Sequence, residues 1–376
     1  MEISGRSPST SDSHRTLARV LRHVRKPIRT RRATPDAPRI RRSVGIVGGD
    51  DLLRAAHTVT DHSSGSTDRH DVIVIGGTGH VGAALCNNLA DLGLRVVATS
   101  RTGGPRFDRP GIEQAQLEVL DLQSSPRHLA GRLAILCPWV PLVGSTPPTD
   151  WVTPLLGRLS DAGTTVVVYF STMWVYGIQP VGRLTEESPT GSTNPYALAH
   201  LGNESVLTQL ADRHGLDISI LRMSNLIGGN PFFTRRSKIA FAHELTAMAV
   251  HDHRIVLRSP PDTARNLLPR ALLHHDLMAV LDRPVEVGRI STFNVGGPVT
   301  TTMGDFANLI AAAVEQRNGH PVRVEHPPAS GDQRTFDLDT DRIRSLAGVG
   351  PDDLATELSM ILTDVTDGHG RTGRPS

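Results

Sequence analysis

The pattern of apolar and polar positions changes character near residue 70. Before it, Arg, Ser, Thr and Pro predominate, and the clearest apolar periodicity is Leu17, Val20, Leu21 and Val24, which fit one face of a short basic helix. From Asp71 onward, short apolar runs alternate with amphipathic stretches, the pattern of a parallel sheet covered by helices on both faces. Strands are expected over 72–75, 95–99, 116–120, 133–136, 165–170 and 218–221, and helices over 81–92, 149–162 and 197–214. After about Asn225 the regularity loosens. Strands are expected there over 255–257 and 291–295, and helices near 274–281, 303–316 and 352–362. The expected class is therefore α/β, a doubly wound parallel sheet with a smaller C-terminal substrate-binding lobe. Residues 1–69 read as a basic, disordered extension and 70–225 as the main domain. Residues 226–365 read as the lobe, with elements that partly return to the main domain, and 366–376 as a tail.

Composition narrows the function classes. The 376 residues carry 40 Lys and Arg against 38 Asp and Glu, too balanced for a body that neutralises nucleic acid as a whole. Residues 1–70 hold 14 basic and 7 acidic residues, so the basic excess sits in the extension and the remainder is mildly acidic. That extension reads as a solvated tail, with a polyanion-binding arm or a targeting peptide as alternatives; nucleic acid is not the expected partner. Only Lys26 and Lys238 are lysines. Cys86 and Cys137 are the only cysteines and lack C-x-x-C spacing. No apolar run approaches the roughly 18 residues of a membrane helix. The expected location is cytoplasmic.

Gly76, Gly79 and Gly82 follow the 72–75 strand and open the 81–92 helix. That spacing permits a tight turn, close approach of backbone to a pyrophosphate and close helix packing, with the helix N-terminus facing the anion. Thr78, His80 and Val81 complete this Rossmann-type loop. Val44–Asp50 imitates its opening but lacks the third glycine. About 20 residues past the loop, where an acidic residue would bind the ribose 2′-hydroxyl of NAD, the chain has Ser100 and Arg101. These suit a 2′-phosphate, so NADP is favoured over NAD. Asp121 and Leu122 lie where an adenine amino group would bind.

Further along, Ser171 and Thr172 end the 165–170 strand region, followed by Trp174, which suits either a substrate pocket or the core. Tyr196 and His200 then lie four apart on one helical face. With the glycine loop, Val175-Tyr176-Gly177, Pro195-Tyr196, 221–228, 270–276 and 293–297, these motifs resemble the extended short-chain dehydrogenase/reductase family, NAD(P)-dependent epimerases, dehydratases and ketoreductases acting largely on nucleotide sugars. The resemblance runs from about Asp71 to Leu362. It implies that Tyr196 is the general acid/base at a substrate carbonyl or hydroxyl, that Thr172 hydrogen-bonds the same oxygen, and that Asn225 and Arg270 face the phosphates of a nucleotide sugar. It also implies a homodimer.

One position departs from the family pattern: a lysine is expected four residues after the tyrosine, and His200 stands there. The lost ammonium would ordinarily lower the tyrosine pKa by roughly 1–3 units. A protonated His200 would replace part of that charge, and activity would then fall as pH rises through the histidine range; either protonation state can donate to a ribose hydroxyl. The expected function is an oxidoreductase that reduces or epimerises a carbonyl-bearing nucleotide sugar or related small metabolite. The alternative is a nucleotide-binding scaffold of the same fold with impaired chemistry. His251, His253, His274 and His275 lack metal-ligand spacing, so no metal is expected.

Overall fold

The computed structural model describes residues 70–101, 107–119, 122, 130–137, 150–233, 240–331 and 335–367. The expectations for 1–69, for the tail beyond 367, for Asp121 and for both lysines lie outside the described residues.

In chain order, β1 (His70–Ile75), α1 (His80–Asp91), β2 (Val96–Ser100), β3 (Ile112–Gln116) and β4 (Gly131–Leu136) come first. Next are α2 (Val152–Asp161), β5 (Val166–Thr172), a 3-10 turn (Met173–Tyr176), β6 (Gly182–Leu184), α3 (Pro195–Leu210), β7 (Asp217–Met223) and β8 (Asn225–Ile227). The second half holds α4 (Phe241–Asp252), β9 (Arg254–Val256), β10 (Ala264–Pro269), α5 (Arg270–Leu281), β11 (Ile290–Val295) and β12 (Val299–Thr302). It ends with α6 (Met303–Asn318), β13 (Arg323–Glu325), β14 (Phe336–Leu338), α7 (Asp341–Ala347) and α8 (Leu354–Asp367).

Seven strands form one parallel sheet in the order β11-β7-β5-β4-β1-β2-β3. The central strands are β-branched and apolar because both faces are covered. On one face, Val72, Val74 and Ile135 pack with Leu85 and Leu89 of α1 and Leu273 and Leu277 of α5. On the other, Ile73, Ala134 and Tyr169 pack with Leu155 and Leu159 of α2 and Leu207 of α3. Strand order reverses between β1 and β4, and crevices that bind ligands open at the C-terminal ends of strands at such a point. A separate core joins α4, α6, α8, β9 and β13 into the smaller lobe.

Among these elements, β3 and α4 depart from expectation. β3 covers Ile112–Gln116 rather than 116–120, because this edge strand buries only Ala115 fully and so shows little apolar signal. The expected strand over 291–295 is β11, which pairs with β7 at the far edge of the main sheet. Helix α4 was not anticipated; its buried face includes His243 and Thr246, which break the apolar stripe.

Candidate active site

At the end of β1, Gly76 turns the chain with φ +78°, and a Cβ there would collide with the Cys137 carbonyl that closes β4. A Cβ on Gly82 would collide with the Gly76 carbonyl and lie 2.8 Å from Gly77 Cα. The turn is therefore drawn tight against the switch point. Gly79 caps α1 with no side-chain bond, and no acidic residue occupies the first helical turn. The first amides of the helix thus lack intrahelical partners and face outward with the positive end of the helix dipole, which suits a pyrophosphate. Gly76, Thr78, Gly79, His80, Val81 and Gly82 are gathered in this cradle, and its shape fits the dinucleotide that the spacing implied.

The remaining loop residues are set as follows. Ser100 is buried at the end of β2, and Arg101 is exposed, its Nε 4.0 Å from Glu118 Oε2. Leu122 is packed in the core under α2. The His80 ring leaves the loop toward the smaller lobe, edge-on to His243 with centroids 5.3 Å apart. Burial, then the neighbouring His243 and Arg270, lower its pKa to about 4.

Asn194 accepts a hydrogen bond from the Tyr196 amide at 2.8 Å and Pro195 opens the first turn, which together fix where α3 begins. Tyr196 therefore stands in the first turn and His200 one turn later, their rings edge to face with centroids 4.6 Å apart. α3 packs against the 3-10 turn that Thr172 caps, the Thr172 Oγ1 accepting from the Trp174 amide at 3.3 Å. Burial raises the Tyr196 pKa.

His200 is only 2% exposed, and burial lowers its pKa to about 4. It is a neutral imidazole at physiological pH, which corrects the expectation that a protonated His200 supplies the missing charge. Its Nδ1 lies 2.6 Å from the Tyr169 hydroxyl, which also accepts from Asn203 Nδ2 at 2.9 Å. Nε2 is buried with no protein partner.

Beneath these residues lies a network that sequence reading missed. Glu204 pairs with Arg222 through two guanidinium nitrogens and accepts from Ser171 Oγ at 2.5 Å. Arg222 Nη1 donates to the Tyr176 hydroxyl at 3.0 Å, which donates to Asn294 Oδ1 at 2.7 Å. The β5–β7 register sets Ser171 beside Arg222, so both reach Glu204 on α3. His200, Asn203 and Glu204 share a helical face, a spacing signal that was available; the strand register was not.

The proposed substrate residues divide. Trp174 is half-buried, with the Arg265 guanidinium 5.8 Å from its ring centroid. Arg265 donates to the Ala264 carbonyl and borders a small open cleft with Ile178, Pro180 and Phe336. Arg270 instead turns inward to the Gly229 carbonyl, to Met360 Sδ at 3.2 Å and to Glu357 at 3.6 Å. Asn225 donates to the Asn266 carbonyl at 2.9 Å. Neither of these two lines that cleft. Among the described residues, no group of three or more His, Cys, Asp or Glu is disposed to hold a metal, and no helix is long and apolar enough to cross a membrane.

A doubly wound parallel sheet with a glycine cradle at its switch point, and a tyrosine helix beside it, defines a dinucleotide-dependent class. Residues 149–263 match the model of the NAD dependent epimerase/dehydratase family. A UDP-glucose 4-epimerase of Mycolicibacterium smegmatis is 26% identical over 306 residues, 74% of this chain and 93% of that enzyme. A UDP-glucose 4-epimerase of Azospirillum brasilense is 30% identical over 174 residues, 43% of this chain but only 50% of that enzyme. Among solved structures, the UDP-glucuronic acid 4-epimerase of Bacillus cereus in complex with NAD shares the fold with a TM-score of 0.67 at 16% identity, over 81% of this chain and 99% of that one. MoeE5 in complex with UDP-glucuronic acid and NAD gives 0.64 at 19% identity, over 79% and 99%. Over these stretches the chain is similar to the NAD dependent epimerase/dehydratase family, and the family model, the curated relatives and the solved structures agree in that likeness.

Proposed function

We propose that the protein is an NAD(P)-dependent oxidoreductase that reduces or epimerises a carbonyl or hydroxyl carbon of a nucleotide sugar. The observation that carries this reading is the edge-to-face pair of Tyr196 and His200 beside the Thr172 strand end, with a buried imidazole nitrogen left unpartnered. A buried polar atom without a partner is costly, and a ligand hydroxyl would relieve it. When bound, the nicotinamide would exchange a hydride with the sugar carbon. Tyr196 keeps its proton because burial raises its pKa, so it serves first as a general acid toward a developing alkoxide. Thr172 uses its oxygen as an acceptor, leaving its hydroxyl proton for the same substrate oxygen. His200 holds a ribose hydroxyl through Nε2. A phenol that holds its proton favours reduction over the oxidative half of an epimerisation.

The anion-facing role implied for Arg270 falls to Arg265, which lies over Trp174 at the cleft with no carboxylate partner among the described residues, whereas Arg270 is committed to Glu357 and Gly229. For the cofactor, exposed Arg101 with Ser100 favours NADP, although Glu118 must yield Arg101 to the 2′-phosphate. Arg101→Ala should weaken NADP binding about tenfold and leave NAD unchanged. The relatives' substrates direct the functional test: incubation with UDP-glucose, UDP-galactose and UDP-glucuronic acid, with either cofactor, followed by product analysis. Turnover of any of them supports the reading. Cofactor binding without turnover of any favours the scaffold alternative.

A further inference from the structure

Resting on that reading of the site, we infer that Tyr169 and Asn203 are positioning residues that lock His200 in the tautomer carrying its proton on Nε2, making it a fixed neutral donor where the family's lysine would stand.

The tautomer follows from the donors present. Asn203 Nδ2 can only donate, and it donates to the Tyr169 oxygen at 2.9 Å. The phenol proton then needs an acceptor, and His200 Nδ1 at 2.6 Å is the one in reach. Burial holds the phenol protonated, raising its pKa far above the usual value. Nδ1 is thereby an acceptor, and in a neutral imidazole the proton must sit on Nε2. The two ring nitrogens diverge, so this N–H points away from Tyr169 and is the buried atom left without a partner. Glu204, the nearest carboxylate on the same helical face, is already engaged by Arg222 and Ser171 and does not compete for the ring. The arrangement substitutes a directed hydrogen bond for a charge, and it leaves Tyr196 without a cation.

Long-range proton–nitrogen spectra of the ligand-free, histidine-labelled protein test the lock directly. They should show His200 as the Nε2–H tautomer and unchanged between pH 5.5 and 8; the Nδ1–H form, or titration in that range, overturns the proposal. Calorimetric titration with NAD and NADP provides the second readout. Tyr169→Phe should lower affinity for the cofactor that binds about fivefold, the worth of one neutral hydrogen bond, while in a His200→Ala background the same change should do nothing. Equal losses in both backgrounds would mean that Tyr169 is merely structural. If neither cofactor binds the wild-type protein, the functional reading fails, whereas the tautomer still decides the proposal about Tyr169.

Discussion

Acid should destabilise this protein through His200 in particular, and the size of the effect follows from its burial. The imidazole titrates near 6.5 when exposed in the unfolded chain and at about 4 in the fold. A depressed histidine pKa means that the unfolded state takes up the proton first, so stability falls as pH drops through 6.5 and levels off only below about 4. At pH 5 the linkage amounts to about 2 kcal/mol, approaching about 3 kcal/mol at pH 4. Replacing His200 with Gln removes the titration while keeping a polar side chain. Urea unfolding at pH 7, 6, 5 and 4.5 should give a wild-type curve that falls more steeply than the variant's, the difference between them changing by about 2 kcal/mol from pH 7 to 5. Parallel curves would refute the claim that His200 is buried as a neutral ring. His80, lowered to about 4 by burial and by His243 and Arg270, contributes in the same direction in both proteins and cancels from the comparison.

Three further outcomes follow from the geometry. Tyr196→Phe removes the proton donor but leaves the glycine cradle intact, so turnover should vanish while cofactor affinity measured by calorimetry stays nearly unchanged. Gly82→Ala sets a methyl against the Gly76 carbonyl and should abolish cofactor binding with the fold still cooperative by thermal unfolding. Glu204→Ala leaves the Arg222 guanidinium, 10% exposed, without its counter-ion and should cost about 3–5 kcal/mol in urea unfolding, whereas Glu187→Ala at the exposed rim should leave the unfolding curve essentially in place.

The glycine turn was legible because it is written in local spacing. Three glycines after an apolar strand and before a helix admit few structures, and the structure adds only which carbonyls forbid a side chain. The Tyr196–His200 pair was equally legible, since four residues on a helix share a face whatever surrounds them. What His200 does was not. Its charge depends on burial beneath Tyr169, contributed by a strand 31 residues away, and its tautomer depends on which donors arrive there. Arg265 and Arg270 could not be told apart for the same reason: one stands near the start of β10 and the other just past its end, and only the packing of α8 assigns Glu357 and Met360 to Arg270. β3 and α4 were lost to weak patterns, an edge strand that buries little and a helix that buries polar groups.

A dinucleotide held in the glycine cradle underlies every role proposed for the site, and calorimetric titration of the purified protein with NADP(H) and, separately, NAD(H) measures that directly. Saturable binding, tighter for NADP(H), is the result expected from the cradle with Ser100 and Arg101 at its far end. Failure of both cofactors to bind a correctly folded protein would contradict it.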